Sequence, residues 1–188
     1  MPFLSEDLIK NIGFKSVGKS IQISDKASFY NPGNISIGDY TRIDDFCVLS
    51  AGEGGIEIGR NVHLSVGVSI VGKGKVLISD FAGLSAKCSI FSSNDDYSGE
   101  YMTNPTVDTK YTNVTVGDIH IGKHVVVGAN SVILPNVKIN DGVSVGSLSL
   151  IKNDCDSFWI YAGIPAKPIK ERSRKLLKLE DNFLSNKI

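Results

Sequence analysis

An aliphatic residue stands at every sixth position from Ile121 onward, through Val127, Ile133, Ile139 and Val145 to Ile151. A helix needs apolar residues at spacings of three and four, and an ordinary strand needs sustained alternation; neither holds over this stretch. What fits is a coil in which each six-residue unit makes one short strand and one bend. The register recurs upstream as the triplets Val17, Ile23, Phe29; Ile37, Ile43, Leu49; Ile58, Leu64, Ile70; and Ile78, Leu84, Ile90. Extra residues fall after the third unit of a triplet, between Leu49 and Ile58, between Ile70 and Ile78, and at length between Ile90 and Ile121. Insertions confined to one place in a three-unit cycle predict one recurrent corner of a triangular prism. Successive turns then stack their aliphatic residues inside, and stability comes from that stacking, because one turn cannot bury its own face.

Within the unit, position five is compact: Val125, Ser131, Val137, Val143, Ser149 and Cys155. Position two is often glycine, as at Gly122, Gly128 and Gly146, which suits a bend whose backbone a Cβ opposes. The 19 glycines and the 8% aromatic content agree with many short turns in place of a core of large side chains.

The 188 residues suit one domain, expected as an N-terminal cap over 1–16, the coil over 17–160 with a protruding loop at 91–120, and a C-terminal segment and helix over 161–188. Twenty basic and twenty acidic residues leave no net charge, hence no electrostatic basis for binding nucleic acid or an anionic membrane. Cys47, Cys88 and Cys155 are odd in number and widely spaced and lack any CxxC, which predicts buried thiols and neither a disulfide framework nor a zinc knuckle. No metal is expected. The N-terminus has no signal-peptide pattern and no apolar stretch could span a bilayer, so a cytoplasmic location is expected. Ser5 is expected to cap a short helix with Leu4, Leu8 and Ile12 on one face. After Pro168, an amphipathic helix is expected, with Ile169, Leu176, Leu177, Leu179, Phe183 and Leu184 as its stripe.

The stretches "IGKHVVVGANSVILPNV", "GVSVGSLSLI" and "YAGIPAKPIK" resemble the hexapeptide-repeat acyltransferases. The resemblance implies a left-handed parallel β-helix, assembly as a homotrimer with sites between adjacent prisms, and acetyl-coenzyme A as donor. The acceptor would be a sugar or nucleotide-sugar hydroxyl or amine, of galactoside or surface-polysaccharide type. Many members carry a histidine at the start of the long loop; this chain has "SSNDDYSG" there instead, which resembles a sugar-modifying branch. His63 is therefore the candidate base, with Asp95 or Asp96 orienting it or binding sugar hydroxyls. Asn94 and Tyr97 are the candidate acceptor contacts. His120 and His124 are read as surface or structural. For the donor, Gly128, Ala129, Gly146 and Ser147 would let pantetheine lie against the backbone and bond its amides. Ala162 and Gly163 would stand at the exit, with Lys167 and Lys170 for the phosphates. Two other readings remain: a non-catalytic trimeric scaffold, supported by the missing loop histidine, and a γ-type carbonic anhydrase, which three scattered histidines support poorly.

Overall fold

The computed structural model describes residues 2–186. Parallel strands stack into three sheets, one for each side of a prism. The first face carries Ser16–Val17, Ile35–Ile37, Ile56–Ile58, Val76–Ile78, Ile119–Ile121 and Val137–Ile139. The second carries Gln22–Ile23, Arg42–Ile43, His63–Leu64, Gly83–Leu84, Val126–Val127, Ser144–Val145 and Trp159–Gly163. The third carries Ser28–Tyr30, Val48–Ala51, Ser69–Gly72, Ser89–Phe91, Val132–Ile133 and Leu150–Ile151. One strand from each face makes a coil, so coils one to six span 16–30, 35–51, 56–72, 76–91, 119–133 and 137–151. The period-six residues of the middle coils pair in register, as in Leu64↔Leu84↔Val127↔Val145 and Ile70↔Ile90↔Ile133↔Ile151. They form the axial core, each contributing about 1.5–3 kcal/mol by burial. The extra residues, including the long loop, all leave between the third and first faces, as the spacing predicts.

The bends have a chemistry of their own. The left-handed backbone falls at position four of the unit: Tyr40, Phe46, Asn61, Phe81, Lys87, His124, Asn130 and Leu148 all have φ between 54° and 61°. Position two needs glycine for another reason, namely the approach of the next coil. A Cβ on Gly38 would lie 2.6 Å from the Gly59 carbonyl carbon, and one on Gly122 would lie 2.7 Å from the Asp141 nitrogen. Conformational freedom, the expected reason, is thus needed two residues later, where Gly67 and Gly142 supply it and the residues just named adopt it without glycine. The compact residues at position five point inward. Those between the second and third faces also stitch the stack: Cys47 Sγ donates to the Ser65 carbonyl (3.1 Å) and Cys88 Sγ to that of Gly128 (3.2 Å). Ser131 and Ser149 Oγ both donate to the Gly146 carbonyl (3.2 and 2.7 Å). Burial pushes the Cys47 thiol up to about 11 and that of Cys155 to about 12, so these sulfurs are inert packing groups.

Helix α1, Glu6–Ile12, starts where expected, with Ser5 Oγ accepting from the Leu8 amide, and it ends at Gly13, φ 82°. Its inward residue is Ile9, while Leu8 is exposed, so the face expected from Leu4, Leu8 and Ile12 is rotated. The C-terminal helix begins later than the apolar stripe suggests. Ala166–Glu171 turns back as a strand antiparallel to Trp159–Gly163, covering the open second-face edge, and α2 spans only Leu176–Ser185. Ile169 therefore belongs to a strand. Among the described residues, no helix is long and apolar enough to cross a membrane.

Candidate active site

The corner between the second and third faces carries one column through the stack. Following the inward residue of each second-face strand from Ile43 to Tyr161, it reads Asp44, Ser65, Ser85, Gly128, Gly146 and Ala162. With strands about 4.8 Å apart, the part from Ser85 to Ala162 runs about 14 Å along the prism. Its upper members are small by necessity: a Cβ on Gly128 would sit 2.4 Å from the Ser147 nitrogen, and one on Gly146 would sit 3.0 Å from Ala162 Cβ. The result is a bare backbone stripe against which a slender chain can lie.

Of the four residues expected to supply donors along it, two do and two do not. The amides of Ser85, Gly128 and Gly146 are consumed by the ladders, donating to Val127 (2.9 Å), Val145 (2.8 Å) and Tyr161 (2.8 Å) carbonyls. Gly128 and Gly146 thus offer clearance and no hydrogen bonds. The next residue in each coil behaves otherwise. The amides of Ala86, Ala129 and Ser147 have no protein partner among the described residues. This row of three donors is spaced by the coil repeat and suits successive carbonyl oxygens of an extended ligand. At the top, the Gly163 amide is tied to Ser149 Oγ (3.1 Å). Lys167 and Lys170, both exposed, stand opposite Ala162 and Ile160 in the terminal hairpin.

His63 projects from the second face, in register with Arg42 below and Gly83 above. Its Nε2 lies 2.9 Å from Asp44 Oδ2, and Arg42 Nε donates to Asp44 Oδ1 at 2.7 Å. Burial pushes the Asp44 carboxyl up, but the bonds from Arg42 and His63 outweigh it and hold the group below its ordinary value. Asp44, not a loop aspartate, is therefore the residue that orients His63 within the chain. The loop leaves from the opposite corner of the prism, so one chain does not bring His63 together with Asp95 or Asp96.

The loop begins as a small antiparallel stem, Ser93–Asn94 against Thr115–Val116. Asp96 organises its turn: Oδ1 accepts from the Ser98 amide (3.0 Å), Ser98 Oγ (2.8 Å) and the Gly99 amide (3.1 Å). The Ser98 hydroxyl, above all, keeps its carboxyl below the ordinary range. Asp95 is exposed and makes no hydrogen bond among the described residues, and Tyr97 is 91% exposed. Asp95, Asp96 and Tyr97 line an open recess of about 760 Å³ with Tyr101 and Asn104. A second recess, of about 290 Å³, sets Asn94 and the two aspartates beside Leu134, Pro135 and Lys152.

The other histidines are structural. His120 Nε2 meets Ser79 Oγ at 3.3 Å, and burial lowers its pKa. His124 stacks on Phe81 with ring centroids 5.1 Å apart and binds Glu180 of α2 at 2.7 Å. Sequence reasoning missed Asp44, Ser85 and Ala86. The signal was present: continuing the Gly146–Gly128 column back by the same register lands on Ser85, then Ser65, then Asp44.

The family model for the bacterial transferase hexapeptide (six repeats) matches residues 118–153. The dTDP-4-amino-4,6-dideoxy-D-glucose acyltransferase of Escherichia coli is 56% identical over 183 residues, covering 97% of this chain and 95% of that protein. Among solved structures, AntD, an N-acyltransferase from Bacillus cereus in complex with dTDP and 3-hydroxybutyryl-CoA, superimposes with a TM-score of 0.93. It is 44% identical, and the match covers 98% of this chain and 97% of that one. A serine variant of AntD, with dTDP-4-amino-4,6-dideoxyglucose and coenzyme A, superimposes with the same score at 43% identity, covering 98% of both chains. Another AntD variant alters an aspartate ten positions beyond that serine, at 44% identity and a TM-score of 0.94, also covering 98% of both chains.

Proposed function

The chain belongs to the hexapeptide-repeat acyltransferases, and on that footing we propose that it acylates the 4-amino group of a dTDP-linked 4-amino-4,6-dideoxyhexose. The general reaction, acyl transfer from a coenzyme A thioester to a sugar amine, is supported by a near full-length dTDP-aminosugar acyltransferase and by an N-acyltransferase that holds dTDP and 3-hydroxybutyryl-CoA. The narrower substrate follows from the near full-length match to aminosugar N-acyltransferases.

The observation that carries the reading is the stripe of Gly128, Gly146 and Ala162 flanked by the unpartnered amides of Ala129 and Ser147. Pantetheine lies along it with its amide carbonyls on those donors. Lys167 and Lys170 take the phosphates at the upper end. The thioester then reaches the level of Ser85, where the Ala86 amide faces the carbonyl oxygen as negative charge develops. The amine nitrogen attacks the carbonyl carbon, the C–N bond forms and the C–S bond breaks. His63, its Nε2 held by Asp44, accepts the amine proton on its other ring nitrogen and returns it to the departing thiolate, which leaves as free coenzyme A.

The acceptor is held by the loop. Ser85 and Asp95 stand ten positions apart, as the serine and aspartate varied in AntD do. The exposed Asp95 carboxylate receives the amino group, and Tyr97 and Asn94 flank the sugar. Because Asp95 and His63 lie on opposite sides of one prism, the working unit is a homotrimer in which a loop reaches the neighbouring chain's corner. A nucleotide sugar and a coenzyme A thioester as substrates support a cytoplasmic reaction.

The test is thiol release from acyl-coenzyme A with dTDP-4-amino-4,6-dideoxyglucose, followed by mass analysis of the sugar. An amide product supports the reading. Absence of product with intact coenzyme A binding moves the acceptor to another sugar.

A further inference from the structure

We propose that Gly83 forms the acyl-group pocket of this enzyme and sets it to accept acyl chains longer than acetyl. The inference rests on the placement of coenzyme A along the second/third corner and deepens that reading.

Gly83 occupies an outward position on the second face, paired with His63 on one side and Val126 on the other. Its backbone is ordinary for a strand, outside the left-handed region, and its amide donates to the Val125 carbonyl at 2.9 Å. A Cβ built there meets no atom within 4 Å. Gly38, Gly122 and Gly128 are required by a neighbouring backbone; neither crowding nor strain requires Gly83. Glycine weakens a strand interior, and where geometry does not demand it, it marks a place where something else approaches.

The space left is bounded along the axis by the His63 imidazole and the Val126 side chain, two strand spacings or about 10 Å apart from backbone to backbone. Ser85 and Ala86 follow within three residues, at the same coil. A thioester whose carbonyl meets the Ala86 amide therefore has its acyl carbons beside this notch. A short acyl chain of three or four carbons lies across Gly83, with Val126 as its apolar wall. A side chain at this position would fill the notch while leaving room for a methyl.

The test uses Gly83→Ala and Gly83→Val in the full chain, with dTDP-4-amino-4,6-dideoxyglucose as acceptor and acetyl-CoA or 3-hydroxybutyryl-CoA as donor. The native enzyme is expected to use both donors. In Gly83→Val, kcat/KM for 3-hydroxybutyryl-CoA should fall at least about tenfold, while that for acetyl-CoA stays within about threefold, the discrimination expected when a pocket loses room for a few carbons. Gly83→Ala should fall between. Melting temperature and solution mass should not change, because the new Cβ meets nothing. Equal losses for both donors, no loss for either, an effect on the sugar KM alone, or a changed solution mass would each overturn the assignment. A native enzyme that binds both thioesters by calorimetry yet transfers only acetyl would also overturn it. Failure of the native protein to acylate this sugar with any donor would instead overturn the functional reading on which the pocket rests.

Discussion

Two side chains at the foot of the corner column carry opposite kinds of consequence. His63 is half exposed with one nitrogen engaged, so its replacement should disturb chemistry more than folding. His63→Ala is expected to lower kcat about 10²–10⁴-fold, the usual worth of general base catalysis, with coenzyme A binding retained in calorimetry. Asp44 is nearly buried and holds both Arg42 and His63, so Asp44→Asn should also cost stability, about 1–3 kcal/mol at neutral pH. Because its carboxyl is depressed in the folded state, that contribution is complete above the ordinary carboxylate range. It should disappear as pH falls through the lowered folded value. Denaturant melts of native and variant protein at pH 7 should differ by that amount, and the gap should close in acid. A gap independent of pH would mean that Asp44 acts by packing alone.

The elements at the two ends show where local pattern was sufficient and where it was not. The coil register was readable because one aliphatic residue per six has a single geometric solution, and because every insertion obeys the same corner. The start of α1 was readable from Ser5. The second terminal element was not, since the spacing of Ile169 and Leu176 cannot reveal that the edge at Trp159–Gly163 needs a partner. That need is tertiary, and it draws residues 166–171 into a strand. Charge, not the apolar stripe alone, then docks α2. The Glu180 carboxylate is buried between Lys123 Nζ (2.5 Å) and His124 Nε2 (2.7 Å). Burial raises its pKa, but the bonds from His124 and Lys123 lower it further, so docking is strongest above about pH 5 and weakens as pH falls through the depressed value. Glu180→Gln should release the helix at neutral pH, seen as faster amide exchange over residues 176–185 with the coils still protected. Unchanged exchange would assign the docking to Phe183, which packs edge-on against Phe81.

On the scale of the whole molecule, a stack in which each coil touches only its neighbours separates scaffold from site. The scaffold was legible in the sequence because it is periodic. The donor groove was legible only as a run of small residues, because which amides remain unpaired depends on the ladder and not on residue type. The acceptor side was least legible: the loop's aspartates are adjacent in sequence but divided in role, Asp96 knitting its own turn and Asp95 left free. The stem Ser93–Asn94/Thr115–Val116 closes the excursion before it begins, and three residues, 73–75, suffice at the same corner one coil earlier. Replacing residues 95–114 with a two-residue Asn-Gly hairpin turn should therefore leave the coil stack and its melting temperature within a few degrees of native. Coenzyme A should still bind, since no residue of the stripe is touched. Transfer to the amino sugar should fall at least about a hundredfold, because Asp95 and Tyr97 are gone while Asn94 and the donor remain in place. A loop-deleted protein that still acylated the sugar at near-native kcat/KM would put the acceptor site on the prism face and remove the loop from the mechanism.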